Sequence, residues 1–312
     1  MNEYEIAIIG GGGSGLTAAI YAARARRRTA VFERGVTGGQ IATTDAVENY
    51  PGFASGVNGF DLARQMEEQA RSFGAEIIAE AVTALAPAPA GGFTLSAGGQ
   101  EYHASAVIVA AGADYNKLGV AGESELTGHG VSYCATCDGA FFAGEDVVVV
   151  GGGDAALDEA EFVTRYAASV TIVHRRASLR ASALLQERAR TNPKIKFLLD
   201  TVVERIDGPD HVTGVLLRDL KTGEERELAT AAVFIFIGQT PNNGLLSGLV
   251  ETDRGGHALV DLQMRTSVPG LFVAGDLRTQ AARQLVSACG DGATAAIAAD
   301  HWLSEVAAAG GK

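Results

Sequence analysis

Short apolar runs alternate with glycine-rich turns and helical patterns along the first part of this chain. Ile6-Ala7-Ile8-Ile9 reads as a buried strand. It feeds Gly-Gly-Gly-Gly-Ser-Gly at residues 10–15, then a helical pattern of apolar positions from Leu16 to about Arg27, then a short strand, Ala30-Val31-Phe32, ending at Glu33. The same order recurs. Val147-Val148-Val149-Val150 feeds Gly-Gly-Gly-Asp-Ala-Ala at 151–156, a helical stretch runs through about Tyr166, and Val170-Thr171-Ile172-Val173 ends at His174. Gly10 to Glu33 and Gly151 to His174 span the same 23 residues, so one strand-turn-helix-strand unit is used twice.

Residues 85–100 read as a turn-rich hairpin region, and Val107-Ile108-Val109-Ala110-Ala111 as a buried strand stopped by Gly112. Val233-Phe234-Ile235-Phe236-Ile237 before Gly238 matches it after the second unit. Further on, Gly270-Leu271-Phe272-Val273-Ala274-Gly275-Asp276 gives another buried strand with a polar end, and an alanine-rich helix from about Gly292 to Ala309 carries Trp302, the single tryptophan. The pattern predicts an α/β fold of two Rossmann-like dinucleotide-binding domains, the second inserted into the first. Residues 116–241 form the inserted domain, and residues 1–115 and 242–312 join as the outer one. Limited proteolysis is expected to cut near Asn116 or Asn243.

Composition narrows the function. A length of 312 residues suits about two domains. With 47% apolar residues, 20% charged residues and seven prolines, the chain is neither disordered nor collagen-like. Its net charge of -12 argues against nucleic acid, which needs a large basic surface. The start, Met-Asn-Glu-Tyr-Glu-Ile, lacks the basic and apolar regions of a signal peptide, and no apolar run approaches the ~20 residues that span a bilayer. No membrane association is expected, and the cytoplasm is the default location. Three cysteines are too few for a disulfide scaffold, so a close pair among them points to redox or metal chemistry.

Gly10-x-Gly12-x-x-Gly15 sits after a strand and opens a helix. There the first glycine permits a tight turn, the second lets the backbone approach a pyrophosphate, and the third allows close helix packing, while the helix start supplies N–H groups. Glu33 stands where a carboxylate accepts hydrogen bonds from ribose hydroxyls. The second turn, Gly151-x-Gly153-x-x-Ala156 with Asp154 inside it, places His174, Arg175 and Arg176 where the first unit placed its acid, with Arg180 close behind. A carboxylate repels a ribose 2′-phosphate, whereas guanidinium groups bind it through charge-assisted hydrogen bonds of roughly 1.5–3 kcal/mol each. Two different dinucleotides follow. FAD with NADPH is the pairing that makes chemical sense, since a flavin accepts hydride from a nicotinamide. FAD is assigned to 1–115 and 242–312, and NADPH to 116–241.

Cys134-Ala135-Thr136-Cys137 lies inside the inserted domain. Two thiols at this spacing can form a disulfide across one turn, and the motif lowers one thiol pKa from ~8.5 towards ~7. A metal site would use His129 with both cysteines, yet a structural zinc normally needs four ligands and no second cysteine pair exists; no metal is expected. Asp138 can exchange protons with the dithiol or form a turn with Gly139, and the two readings are compatible. Cys289, in an apolar helix-like setting, fills core space. Nicotinamide and disulfide must each reach the flavin from one inserted domain, so a hinged rotation on residues 113–117 and 239–244 is expected.

These residues resemble the low-molecular-weight, bacterial-type thioredoxin reductases of the pyridine nucleotide-disulfide oxidoreductase superfamily. The resemblance covers nearly the whole chain and rests on GGGGSGLTAAIYAAR, GGQIATTDAVENYPGF, CATCDGAFF, GGGDAALDEAEF, HRRASLR, FIFIGQTPNN and FVAGD followed by RQ. It implies that Gln40 and Asn49 lie near the flavin, that Gly275 and Asp276 meet its ribityl or pyrophosphate portion, and that Arg283 and Gln284 line its ring. It implies Cys137 as the flavin-proximal thiol, Cys134 as the thiol that attacks thioredoxin, Asp138 as proton donor, and a homodimer. The departures are small: Gly13-Ser14 for Pro-Ala, Ala110-Ala111-Gly112 for Ala-Thr-Gly, and a varied Cys289-Gly290-Asp291.

Two other readings share the fold. A flavin dithiol oxidase acting on a small molecule has no need of the basic cluster, and a redox sensor without turnover differs only in failing to pass electrons on. The arginines at 24, 26, 27 and 28 are expected to offset a helix dipole and stay solvated. His103, His211, His257 and His301 show no spacing suited to metal or nucleophilic chemistry.

Overall fold

A computed structural model of the chain describes residues 2–44 and 47–310. Asp45 and Ala46, within the GGQIATTDAVENYPGF landmark, lie outside them. The chain divides into two compact units, Met1–Asp114 with Thr240–Lys312, and Tyr115–Gln239.

The first unit opens with β1 (Glu3–Ile9), α1 (Gly13–Arg24) and β2 (Thr29–Phe32), and continues with α2 (Gly59–Ser72), β3 (Glu76–Ile78), β4 (Val82–Pro87), β5 (Phe93–Ala97) and β6 (Gln100–Val109). The sheet runs β3-β2-β1-β6-β5-β4. β1 pairs in parallel with β2 and β6, with Ile8 opposite Val31 and Ile108, while β4 and β5 add an antiparallel hairpin. Strand alternation sends Ile6 and Ile8 to a core shared with the helices and Ala7 and Ile9 to a second core on the other face. Both faces are buried, which is why the strand reads as one unbroken apolar run. The unit is left through β7 (Ala113–Tyr115).

The second unit contains β8 (Val131–Ser132), the short helix α3 (Ala135–Asp138), β9 (Asp146–Gly151), α4 (Asp154–Val163), β10 (Ser169–Val173), α5 (Ala183–Thr191) and β11 (Ile195–Leu198). An antiparallel sheet of β12 (Thr201–Asp207), β13 (Gly214–Asp219) and β14 (Glu225–Ala229) precedes β15 (Ala232–Phe236). The parallel sheet runs β11-β10-β9-β15-β8, repeating in β9-α4-β10 the arrangement of β1-α1-β2. β16 (Gln239–Pro241), which pairs with β7, leads out.

The chain then adds β17 (Leu271–Val273), parallel to β6, and α6 (Leu285–Gly310). Three expectations need correction. α6 begins at Leu285, seven residues before Gly292, and α1 and α4 span Gly13–Arg24 and Asp154–Val163, each ending short of Arg27 and Tyr166. Gly292 does not start the helix; it lets α6 lie against α1, because a Cβ there would sit 2.0 Å from the Ser14 carbonyl oxygen. Arg27 is not a freely solvated charge, since it bonds Glu5 at 2.8 Å and Asp300 at 2.7 Å.

Candidate functional site

In the first unit the glycine turn is tight where it must be and open where a ligand must come. At Gly10, with φ +103°, a Cβ would sit 2.4 Å from the Ala110 carbonyl oxygen, and at Gly15 it would sit 1.8 Å from the Gly10 carbonyl oxygen. At Gly12 the nearest atom would be 4.0 Å away, so one face of the turn is clear. Gly12 caps α1 without a side-chain hydrogen bond, leaving the helix's first N–H groups for a partner. Ser14 is buried in its first turn with a hydroxyl that has no hydrogen-bond partner.

Glu33 closes this turn. Its carboxylate accepts the Gly11 N–H at 2.7 Å and the Gly35 N–H at 3.0 Å. Gly275 comes against the same helix start, where its Cβ would meet the Ser14 Cβ at 3.0 Å, and burial pushes the neighbouring Asp276 carboxyl up in pKa against the pull of Arg283. Asn49 and Gln284 are brought together, the Asn49 amide donating to Gln284 Oε1 at 3.0 Å, and the Gln40 amide donates to the Ala113 carbonyl at 2.6 Å. Cys289 is buried beside Leu16, Leu62 and Met66, a core position. Sequence reasoning missed the pair of half-buried Arg278 with buried Asp291, bidentate at 2.7 and 2.9 Å, because Asp291 is one of three acids in α6 and its partner lies outside that helix.

The second unit repeats the turn with a different partner. At Gly151 a Cβ would meet the Phe236 carbonyl at 2.5 Å, at Gly153 it would meet nothing within 4 Å, and Ala156 is fully buried. His174 lies against Gly152, whose Cβ would be 2.3 Å from the ring, and its Nε2 is buried without a partner. Burial pushes the His174 pKa down, and Arg180, Arg176 and Arg175 push it further, against a hydrogen bond at Ser178; the ring is therefore neutral at pH 7. The Arg180 N–H donates to the Gly152 carbonyl at 2.7 Å, which brings Arg180 to the turn that His174 covers. The arginine side chains at 175, 176 and 180 are exposed. Asp154 is turned to structure, accepting the Ser182 N–H at 2.6 Å.

Cys134 and Cys137 form a disulfide across α3, with Cys134 as the cap residue. Asp138 closes that turn, its N–H donating to the Cys134 carbonyl at 3.1 Å. Burial pushes the Asp138 carboxyl up, opposed by a hydrogen bond from Ser132 at 2.5 Å. Glu159 of α4 adds a second carboxyl raised by burial, held down by the Ala135 N–H. Ser132 belongs to no motif, and Glu159, although inside GGGDAALDEAEF, is one of several acids there with nothing in the spacing to single it out. A half-buried disulfide-linked pair beside an acid that burial makes easier to protonate can exchange electrons and protons together.

Two glycine turns of nucleotide-binding form and one disulfide define a class, and the comparisons specify it. The profile for pyridine nucleotide-disulphide oxidoreductase matches residues 4–293. A thioredoxin reductase of Treponema pallidum is 48% identical over 96% of this chain and 97% of its own length. A bifunctional thioredoxin reductase/thioredoxin of Mycobacterium leprae is 47% identical over 97% of this chain and 66% of its own length. The crystal structure of thioredoxin reductase from Streptococcus pyogenes superposes with a TM-score of 0.93 at 43% identity, covering 97% of this chain and 99% of that one. The chain belongs to the pyridine nucleotide-disulphide oxidoreductase family, among its thioredoxin reductases. Among the described residues, no helix is long and apolar enough to cross a membrane.

Proposed function

We propose that the chain reduces the disulfide of thioredoxin with electrons from NADPH, holding FAD in the first unit and NADPH in the second. The observation that carries the reading is the Cys134–Cys137 disulfide, set with the half-buried Asp138 in the same unit as a glycine turn bordered by His174, Arg175, Arg176 and Arg180. The open faces at Gly12 and Gly153 and the unpartnered Ser14 hydroxyl and His174 Nε2 suit two dinucleotides. Gly10, Gly12, Gly15 and Glu33 would hold the adenosine half of FAD, Gly275 and Asp276 its middle, and Gln40, Asn49, Arg283 and Gln284 its ring. Gly151, Gly153, Asp154 and Ala156 would form the NADPH turn, and the three arginines would take the 2′-phosphate. Bound together, the two cofactors supply hydride transfer and a two-electron donor to the disulfide.

The chain's own groups do the rest. Gaining two electrons and two protons, the disulfide opens to Cys134 and Cys137 thiols, with Asp138 carrying one of those protons. The Cys134 thiolate attacks a thioredoxin sulfur, forming a mixed disulfide and releasing one thioredoxin thiol. Cys137 then attacks the Cys134 sulfur, restoring the disulfide and freeing the second. The fused Mycobacterium leprae relative, named as reductase and thioredoxin in one chain, supports this partner. The nicotinamide and the disulfide belong to one unit and must each reach the flavin, so the reading includes a turn of that unit on its connections near β7 and β16. It also includes a homodimer, supported by the exposed apolar side chains of Tyr21, Ile297 and Val306, and a cytoplasmic location, where a dithiol stays reduced.

Absorbance spectra before and after NADPH, followed by a thioredoxin turnover assay, test the reading. The purified protein is expected to be yellow, to bleach with NADPH and to turn over. Cys134→Ser is expected to bleach as before and lose turnover by about a thousandfold or more. A colourless protein, or bleaching without turnover in the wild type, defeats it.

A further inference from the structure

Ser132 ends β8, with its backbone fixed opposite Phe234 of β15. Its side chain is 4% exposed, so its hydroxyl must find partners inside the protein. The oxygen lies 2.5 Å from Asp138 Oδ2, accepts the Cys134 N–H at 3.1 Å and lies 3.3 Å from the Cys134 carbonyl oxygen. One hydroxyl hydrogen therefore has two acceptors within reach, one on each side of the dithiol turn.

Which acceptor takes it depends on Asp138. With Asp138 ionised, the hydroxyl donates to the carboxylate, and 2.5 Å suits an O–H···O⁻ bond. With Asp138 protonated, its carboxyl donates to Ser132 Oγ, and the hydroxyl hydrogen turns to the Cys134 carbonyl. The Cys134 N–H keeps its acceptor in both states, and the carbonyl, which also takes the Asp138 N–H, has a second lone pair for the hydroxyl. Neither state leaves a buried polar group without a partner, and no heavy atom moves.

We propose that Ser132 is a positioning residue whose hydroxyl reverses its hydrogen bond as Asp138 gives a proton to a dithiol sulfur and regains one from water. This rests on the reading of Asp138 as the dithiol's proton carrier. Around the turn, α4 brings Glu159, a second carboxyl raised by burial that accepts the Ala135 N–H while its Oε2 is buried without a partner; residues 139–142 are uncharged, and the Tyr133 hydroxyl is tied to Glu123 at 2.8 Å. The Asp138→Asn variant separates the Asp138 limb from any that Glu159 contributes.

The test measures, on the flavin-loaded enzyme given one equivalent of NADPH, the pH dependence of the rate at which electrons pass from the flavin to the disulfide, read as the return of the yellow absorbance. In Ser132→Ala the ionised carboxylate loses its donor, so the limb on which the rate falls with rising pH moves up by about one pH unit. Ser132→Thr, which keeps the hydroxyl, holds the limb in place. A Ser132→Ala limb that coincides with wild type overturns the proposal. Asp138→Asn should remove the limb; if the limb persists there, the reading of Asp138 itself fails instead. A second measurement needs no serine variant: the infrared C=O band of protonated Asp138, identified by its loss in Asp138→Asn, should report a hydrogen-bonded carboxyl. A band typical of a free carboxyl overturns the proposal.

Discussion

The Glu33 carboxylate accepts the Gly11 N–H at 2.7 Å, so the acid ending β2 holds the turn that follows β1. The same carboxylate stands where a ribose would come, and it therefore does two tasks, shaping the turn and offering an acceptor. Glu33→Gln keeps the shape and only one oxygen acceptor. Flavin affinity is expected to fall about tenfold, the loss of one charge-assisted hydrogen bond. The flavin-to-protein absorbance ratio after prolonged dialysis checks it, and unchanged retention means that Glu33 shapes the turn without touching the cofactor.

Arg175 and Arg176 are exposed beside a neutral His174, and the backbone of Arg180 is tied to Gly152. Their charges have no assigned structural task, which fits a role in holding a phosphate. Replacing Arg175 and Arg176 by alanine is expected to raise the NADPH Michaelis constant by about a hundredfold, two charge-assisted contacts at ~1.4 kcal/mol per tenfold. The value for NADH should stay within about twofold. Equal losses for both nucleotides would show that the arginines support the fold rather than read the phosphate.

How much of this could be read from residue order depends on whether a feature is periodic or made by contact. The paired glycine turns are spaced motifs on unbroken apolar strands, and both Gly10-Glu33 and Gly151-His174 emerge from spacing alone. The start of α6 at Leu285 was hidden because Gly290 and Gly292 look like helix breakers, whereas Gly292 is there so that α1 can approach. The role of Arg27 was hidden because Glu5 and Asp300 come to it from β1 and α6, a meeting that only the fold makes. Ser132 carried no signal, since one serine before a cysteine is ordinary until Asp138 turns back towards it.

The approach of α6 to α1 supports a prediction about both stability and cofactor. A Cβ at Gly292 would lie 2.0 Å from the Ser14 carbonyl oxygen, a backbone atom that cannot rotate away. Gly292→Ala must push the helices apart and shift the start of α1, where the open glycine turn lies. A loss of about 1–3 kcal/mol is expected, with flavin content reduced alongside. Chemical denaturation and absorbance read the two effects. Wild-type stability in the variant would mean that the helices have slack at this contact.

Arg27 gives the pH-dependent case. Burial pushes the Glu5 carboxyl up, but hydrogen bonds from the Arg27 guanidinium and the Arg28 N–H, with the nearby Arg27 charge, outweigh it and leave Glu5 below the ordinary carboxylate range. A carboxyl depressed in the folded state adds stability that is complete above its unfolded value of about 4.3 and fades as pH falls through the folded value. Arg27→Ala removes the cause of most of that shift. The pair is partly exposed, so the expected cost at pH 7 is on the order of 1–2 kcal/mol. The gap between wild type and variant should narrow when both are compared at a pH near 3.5, because below about 4.3 the unfolded chain takes up a proton at Glu5 that the ion pair disfavours in the folded wild type. Urea midpoints at the two pH values decide it. A gap of constant size assigns the loss to the packed hydrocarbon stem of Arg27 rather than to its charge.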